Sequence, residues 1–221
     1  MAIAPTISGP RMPPTSGAKA EQLIVLLHGY GADGGDLIGL APHIGRALPG
    51  AAFAAPNGPQ MTGQGGYQWF DLQSRTPQAM LEGARRAQPL IDNFIDAELK
   101  RLNLTDDRLA LVGFSQGTMM SLFVGLRRAR AFAGIVGFSG ALVGPELLKA
   151  ETKSRPPIFL VHGDADDMLP VQMMFAATQA LAAADIPAEW HVSPGVPHGI
   201  DPVGLELATR FLKRCFTVKR A

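Results

Sequence analysis

An α/β fold is what this sequence predicts: a mostly parallel central sheet with helices on both faces. Three observations lead there. Short apolar runs alternate with segments of helical spacing from residue 22 to the end. Leu23–Leu27 and Ile158–Val161 are apolar throughout rather than alternating, the pattern of strands buried on both faces. Polar, glycine-rich loops follow several of these runs, and in open parallel sheets ligands sit at the carboxyl ends of the strands.

Composition narrows the class. Hydrophobic residues make up 47% and charged residues 18% of 221 positions, which suits one globular domain. The expected division is an arm over residues 1–20 and a single domain over 21–221. Lys plus Arg is 20 and Asp plus Glu is 19, a net charge of +1 that gives no support for nucleic-acid binding. With Cys215 as the single cysteine, no internal disulfide can form and nothing calls for an oxidising compartment. Residues 1–20 carry no basic start followed by an apolar run, so no secretory signal is expected. The longest strongly apolar run, Leu23–Leu27, falls short of the roughly 18 residues of a membrane span. A cytoplasmic location is the expectation. No H-E-x-x-H, paired C-x-x-C or histidine cluster is present, so neither metal nor cofactor is expected.

Taken in order, the arm contains Pro5, Pro10, Pro13 and Pro14 and reads as extended, with room for one edge strand. Leu23–Leu27 is a strand that ends in the loop His28-Gly29-Tyr30-Gly31-Ala32-Asp33-Gly34-Gly35. Leu37, Leu40, Ala41, Ile44 and Leu48 then recur at helical spacing, with Pro42 starting or kinking the helix. Ala51–Ala55 is a short strand closed by Pro56-Asn57-Gly58-Pro59. Residues 56–76 have no periodicity but hold Tyr67, Trp69 and Phe70, and loops of this length within a domain are often functional. Thr76 and Pro77 open a helix whose inner face is Met80, Ala84, Ala87, Ile91, Phe94 and Ile95, with a kink expected at Pro89. Apolar runs over residues 109–112, 134–138 and 158–161, together with the segment Glu189–Val192, give the remaining strands. Between and after them, Met119, Leu122, Phe123 and Leu126 mark one helix, and Val171, Met174, Phe175, Thr178 and Leu181 another. Asp201 and Pro202 cap the last helix, which turns Leu205, Ala208, Leu212 and Phe216 inward.

The chemistry centres on Gly113-Phe114-Ser115-Gln116-Gly117, a G-x-S-x-G match between a strand and a helix. Such a turn holds the serine in a strained backbone and lifts its hydroxyl above the sheet. Side chains two residues to either side would collide with neighbouring backbone, so glycine is favoured at both. A serine hydroxyl needs a base within hydrogen-bond reach, and the base needs an acid to fix its tautomer. In hydrolases with this elbow the chain order is serine, acid, histidine. His198, in a Pro/Gly loop before the last helix, is the natural base; His191 lies within a strand, and His162 precedes the acids. Asp164, Asp166 and Asp167 are the candidate acids, and spacing alone leaves them open, each with helix capping as its ordinary alternative. An oxyanion needs two donors, which the backbone N–H groups of Gln116 and Tyr30 would supply. His28 reads as structural. Gly137-Phe138-Ser139-Gly140 repeats the look of the elbow but has Ala141 where the second glycine belongs. Cys215, Met119-Met120 and Met168-Leu169 read as core, with lining of an acyl pocket as the sharper role for the methionines.

Leu27-His28-Gly29-Tyr30-Gly31-Ala32-Asp33, Trp69-Phe70-Asp71, Gly113-Phe114-Ser115-Gln116-Gly117, His162-Gly163-Asp164-Ala165-Asp166 and Pro197-His198-Gly199 follow one another in order. From about residue 22 onward this series resembles the phospholipase/carboxylesterase family, which includes acyl-protein thioesterases and small bacterial carboxylesterases. The resemblance implies an α/β-hydrolase fold without a large cap domain. It also implies Asp166 as the acid, Tyr30 and Gln116 as backbone oxyanion donors, and the 56–76 loop beside the site. Trp69, Phe70, Met168 and Leu169 are then candidate pocket residues. Family members often carry leucine where Tyr30 stands, and proline or valine near Asp167-Met168; both departures touch the pocket. The expected activity is hydrolysis of a small carboxylic ester through an acyl-enzyme, with thioesterase or lysophospholipase activity as the alternative on the same triad. A catalytically silent binding module is the alternative of another class. The residues leave the oligomeric state open, a homodimer included.

Overall fold

The computed structural model describes residues 6–63 and 65–217. Pro5 of the expected arm lies outside them. In chain order the elements are β1 (Arg11–Met12), β2 (Gln22–Leu27), α1 (Gly34–Leu37), α2 (Ala41–Ala47), β3 (Ala51–Ala54), β4 (Gln60–Met61), β5 (Tyr67–Gln68), α3 (Pro77–Leu102), β6 (Leu109–Phe114), α4 (Gln116–Arg127), β7 (Gly134–Phe138), α5 (Leu148–Glu151), β8 (Ile158–Gly163), α6 (Gln172–Ala183), β9 (Ala188–Ser193) and α7 (Pro202–Thr217). Seven strands form one sheet in the order β1-β3-β2-β6-β7-β8-β9. Every neighbouring pair is parallel except β1 against β3, which places the arm's short strand antiparallel on one edge.

The apolar runs divide by the two-residue period of a strand. Leu23, Val25 and Leu27 of β2 face one side, with Leu109 and Leu111 of β6, under Ile91 and Ile95 of α3 and Phe123 of α4. Ile24 and Leu26 face the other, with Ala110 and Val112, under Ile44 of α2 and Phe211 and Leu212 of α7. Each fully buried side chain of this size contributes about 1.5–3 kcal/mol, so the two clusters carry most of the fold's stability.

One sequence expectation changes here. The 56–76 loop contains a small antiparallel hairpin, with Gln60 opposite Gln68 and Met61 opposite Tyr67. Strands of two residues are too short to leave a periodic trace. Its turn uses Gly65 and Gly66 at positive φ, and a Cβ on Gly66 would meet the Gly31 carbonyl oxygen at 2.0 Å. The helix around Pro89 continues on both sides of that residue from Pro77 to Leu102, with Thr76 accepting from the Ala79 N–H as its N-cap. Buried Ala87 and Ile91 anchor it to the sheet on either side of the proline.

Register sets the position of the site. Leu27 pairs with Gly113, Phe114 with Phe138, Phe138 with Val161, and Gly163 with Ser193. The carboxyl ends of β2, β6, β7, β8 and β9 therefore line up, and the loops that leave them share one rim.

Candidate active site

Between β6 and α4 the chain reverses at Ser115, whose φ of 53° and ψ of −116° lie outside ordinary strand or helix geometry. Strain of this kind persists only where the surroundings over-determine it. Here they do. A Cβ on Gly113 would lie 2.4 Å from the Gly117 carbonyl, and one on Gly117 would lie 1.8 Å from the Leu27 carbonyl oxygen. The Ser115 N–H is fixed to the Phe138 carbonyl at 2.9 Å, and the first turn of α4 bonds back to the Ser115 carbonyl through Thr118 and Met119. Ser115 itself is partly exposed at the rim.

Of the three candidate carboxylates, Asp166 alone meets His198. Its Oδ2 accepts from His198 Nδ1 at 2.7 Å, and its side chain is fully buried. Oδ1 accepts the backbone N–H groups of Met168 at 3.0 Å and Leu169 at 2.8 Å. Capping of the turn and contact with His198 are thus divided between its two oxygens. Burial pushes the Asp166 carboxyl upward, but the Leu169 N–H, His198 and the Met168 N–H outweigh it, and its pKa falls below the ordinary carboxylate value. Asp164 is exposed and holds the Gly195 N–H at 2.6 Å, and Asp167 is exposed. With Nδ1–H donated to Asp166, the His198 Nε2 keeps its lone pair and has no hydrogen-bond partner among the described residues. The imidazole packs on Phe114, the residue before Ser115, with ring centroids 5.0 Å apart.

Two further contacts fix the histidine loop. Ser139 Oγ donates to the Gly199 carbonyl at 3.1 Å, and the Val196 carbonyl accepts the Ala165 N–H at 3.1 Å. Ser139 is fully buried at a φ of 46°, so the second Gly-Phe-Ser-Gly has a strained serine too, with its hydroxyl committed to the loop. The only sequence signal for this was the likeness to the elbow. His162 Nε2 donates to the Leu169 carbonyl at 2.7 Å and lies 3.2 Å from Asp166 Oδ2, behind the acid.

The loop after β2 faces the elbow. His28 is fully buried; its Nε2 accepts the Gly58 N–H at 2.8 Å, so the proton sits on Nδ1 and is donated to the Gly29 carbonyl at 2.7 Å. Burial holds this imidazole below its ordinary pKa, and it stays neutral. With both nitrogens engaged, His28 is structural. Tyr30 is 47% exposed and Gln116 1% exposed, yet neither backbone N–H is hydrogen-bonded to another described residue. Trp69 and Phe70 are 1% and 2% exposed, members of the core rather than an open wall. Leu169 is partly buried against the core, whereas Met168 is 64% exposed, so the core reading of Met168 is corrected. It rides on the outside of the turn that Asp166 Oδ1 organises. Asp201 accepts the Val203 and Gly204 N–H groups as the expected N-cap. Among the described residues, no group of three or more His, Cys, Asp or Glu side chains is placed to hold a metal ion, and no helix is long and apolar enough to cross a membrane.

A seven-stranded, mostly parallel sheet with a strained serine elbow at its centre and no separate cap domain defines an α/β hydrolase-type protein. More narrowly, the chain belongs to the phospholipase/carboxylesterase family, whose profile matches residues 14–216. It is 28% identical over 212 residues to acyl-protein thioesterase 1 of Saccharomyces cerevisiae, covering 88% of this chain and 93% of that one. Among solved structures it is similar to esterase PE8, with 43% identity, a TM-score of 0.90, and coverage of 95% of this chain and 99% of the other. A phospholipase/carboxylesterase from Dyadobacter fermentans superposes with a TM-score of 0.70 at 27% identity, over 94% and 97% of the two chains. Membership makes the protein a hydrolase of the esterase/thioesterase group.

Proposed function

We propose that the protein is a carboxylesterase that works through an acyl-enzyme on Ser115. The observation that carries this reading is the Asp166–His198 hydrogen bond of 2.7 Å, which fixes the tautomer and leaves Nε2 unpaired beside the elbow. His198 Nε2 takes the Ser115 proton as Oγ attacks the acyl carbon. Asp166 stays ionised and stabilises the imidazolium without taking its proton. The carbonyl oxygen, now an oxyanion, accepts from the unpaired backbone N–H groups of Tyr30 and Gln116, donors of a kind whose loss costs about 10²–10³ in rate. His198 then protonates the leaving alcohol. A water attacks the acyl-enzyme with His198 again as base, and the carboxylic acid leaves. No step calls for a cofactor, and the substrate is a small ester that reaches the rim from solvent.

Thioester cleavage by the same residues is the second reading, favoured by the likeness to a yeast acyl-protein thioesterase. One experiment separates the two: kcat/KM for p-nitrophenyl esters and matched thioesters of increasing acyl length. Carboxylesterase action predicts better turnover of the oxygen esters; dominant long-chain thioester turnover overturns it. The same assays on Ser115→Ala test the nucleophile. Its ester turnover should fall to the level of the remaining groups, about 10³–10⁴ over water, and full turnover would sink the assignment.

A further inference from the structure

Gln116 would serve the oxyanion through its backbone, yet its side chain is the more heavily engaged part of the residue. Its Oε1 accepts the Trp69 N–H at 2.9 Å, and its Nε2 donates to the Phe70 carbonyl at 2.7 Å. The carboxamide thus pairs with the backbone of residues 69 and 70 as a strand would. Those residues belong to the segment that also grips the other donor's loop. Trp69 Nε1 donates to the His28 carbonyl at 2.8 Å. The Gly58 N–H closes on His28 Nε2 at 2.8 Å. Gly31 N–H bonds the Tyr67 carbonyl at 2.9 Å, and Tyr67 N–H bonds the Ala32 carbonyl at 2.7 Å, which brackets Tyr30 from its C-terminal side. Gly66 makes the approach possible, since any Cβ there would strike the Gly31 carbonyl.

We propose that Gly58 and residues 66–70 form a brace that sets the separation of the two oxyanion donors, with the Gln116 side chain as its positioning residue. The proposal rests on the reading of Tyr30 and Gln116 as those donors. The two N–H groups lie on loops that leave the neighbouring strands β2 and β6, whose pairing ends at Leu27 and Gly113, and the brace holds the loops beyond that point. The brace ties both to a single stretch of chain. Oxyanion donors act only when held at the position the transition-state oxygen will occupy, and a displacement of about 1 Å can cost about 10²-fold in rate. A stretch that belongs to neither the nucleophile, the acid nor the base therefore governs the chemical step rather than substrate affinity.

The test compares Gln116→Met and Trp69→Phe with wild type, each rate normalised to the titre of reactive Ser115. Gln116→Met keeps the length and removes both hydrogen bonds. Trp69→Phe keeps a ring and removes only the bond to the His28 carbonyl. An acyl trifluoromethyl ketone serves as probe. Ser115 Oγ adds to its carbonyl carbon, the carbonyl π pair becomes the oxyanion, and the serine proton passes to His198. Gln116→Met should lower kcat about 10–10²-fold with KM within about twofold, and weaken ketone inhibition by the same factor as kcat/KM. Trp69→Phe should lose about 3–10-fold in the same pattern and decides the matter if Gln116→Met does not fold. Wild-type kcat per titrated site, or a rise in KM with kcat unchanged, overturns the brace. Ser115→Ala separates the two levels: if it is as active as wild type the functional reading fails, whereas if it is inactive and both variants keep kcat only the brace fails.

Discussion

Asp166 shows most clearly how one side chain can hold a turn with one oxygen and meet the candidate site with the other. Oδ1 caps the turn at Met168 and Leu169 while Oδ2 faces His198. Asp166→Asn separates the two. The amide oxygen can keep both backbone N–H groups, but the amide nitrogen then presents a donor to His198 and forces the ring proton onto Nε2. Acylation should slow about 10³–10⁴-fold while the thermal midpoint moves little. Stopped-flow release of p-nitrophenol reads the first quantity and calorimetry the second; wild-type acylation would remove Asp166 from the mechanism.

Among the elements, β1 and α3 are held together by charge. Glu98 of α3 is buried, and it takes Arg11 of β1 at 2.7 Å and Arg101 at 2.6 Å. Burial raises this carboxyl, the two arginines lower it further, and the net pKa falls below the ordinary value. Both arginines are well exposed, so the pairing is screened and its worth modest. Glu98→Ala should cost up to about 1 kcal/mol, read from the urea midpoint, and should release β1 to proteolysis; an unchanged midpoint with an intact arm would refute this. Elements were the scale at which the sequence was most legible. The inner strands, the elbow, the Thr76 and Asp201 caps and the buried His28 all follow from residues within a few positions of one another. What escaped was long-range. The Gln116 carboxamide meets backbone at residues 69 and 70, and Ser139 meets Gly199; neither partner is marked by its own residue type. Met168 was misplaced because apolarity does not say which side of a turn faces solvent.

For the molecule as a whole, the ionisable groups predict how stability depends on pH. Glu98, Asp166 and Asp201 all have pKa values below the ordinary carboxylate range when folded. Their stabilisation is complete above the unfolded value and is lost as pH falls toward the folded ones, because the unfolded chain takes up protons first. His28 acts in the same direction at higher pH, since its buried site refuses a proton that the unfolded imidazole accepts. Asp92 opposes them: burial outweighs Arg128, its pKa is raised, and the folded state takes up that proton first. The urea midpoint should therefore decline in two stages on acidification, below the ordinary imidazole value and again below the carboxylate value, and His28→Gln should remove the upper stage. A midpoint independent of pH would contradict this. The sheet order carries a different consequence. Ser115 follows β6 in mid-sheet, but His198 hangs from the far end of β9, an edge strand with a single neighbour. Edges open at lower free energy than cores. The two tryptophans happen to report on these two places, Trp190 half-exposed on β9 and Trp69 buried behind the elbow. With His198 as the proposed base, ester turnover under rising urea should fade together with the Trp190 signal while Trp69 stays native, so that the molecule goes silent while still refoldable.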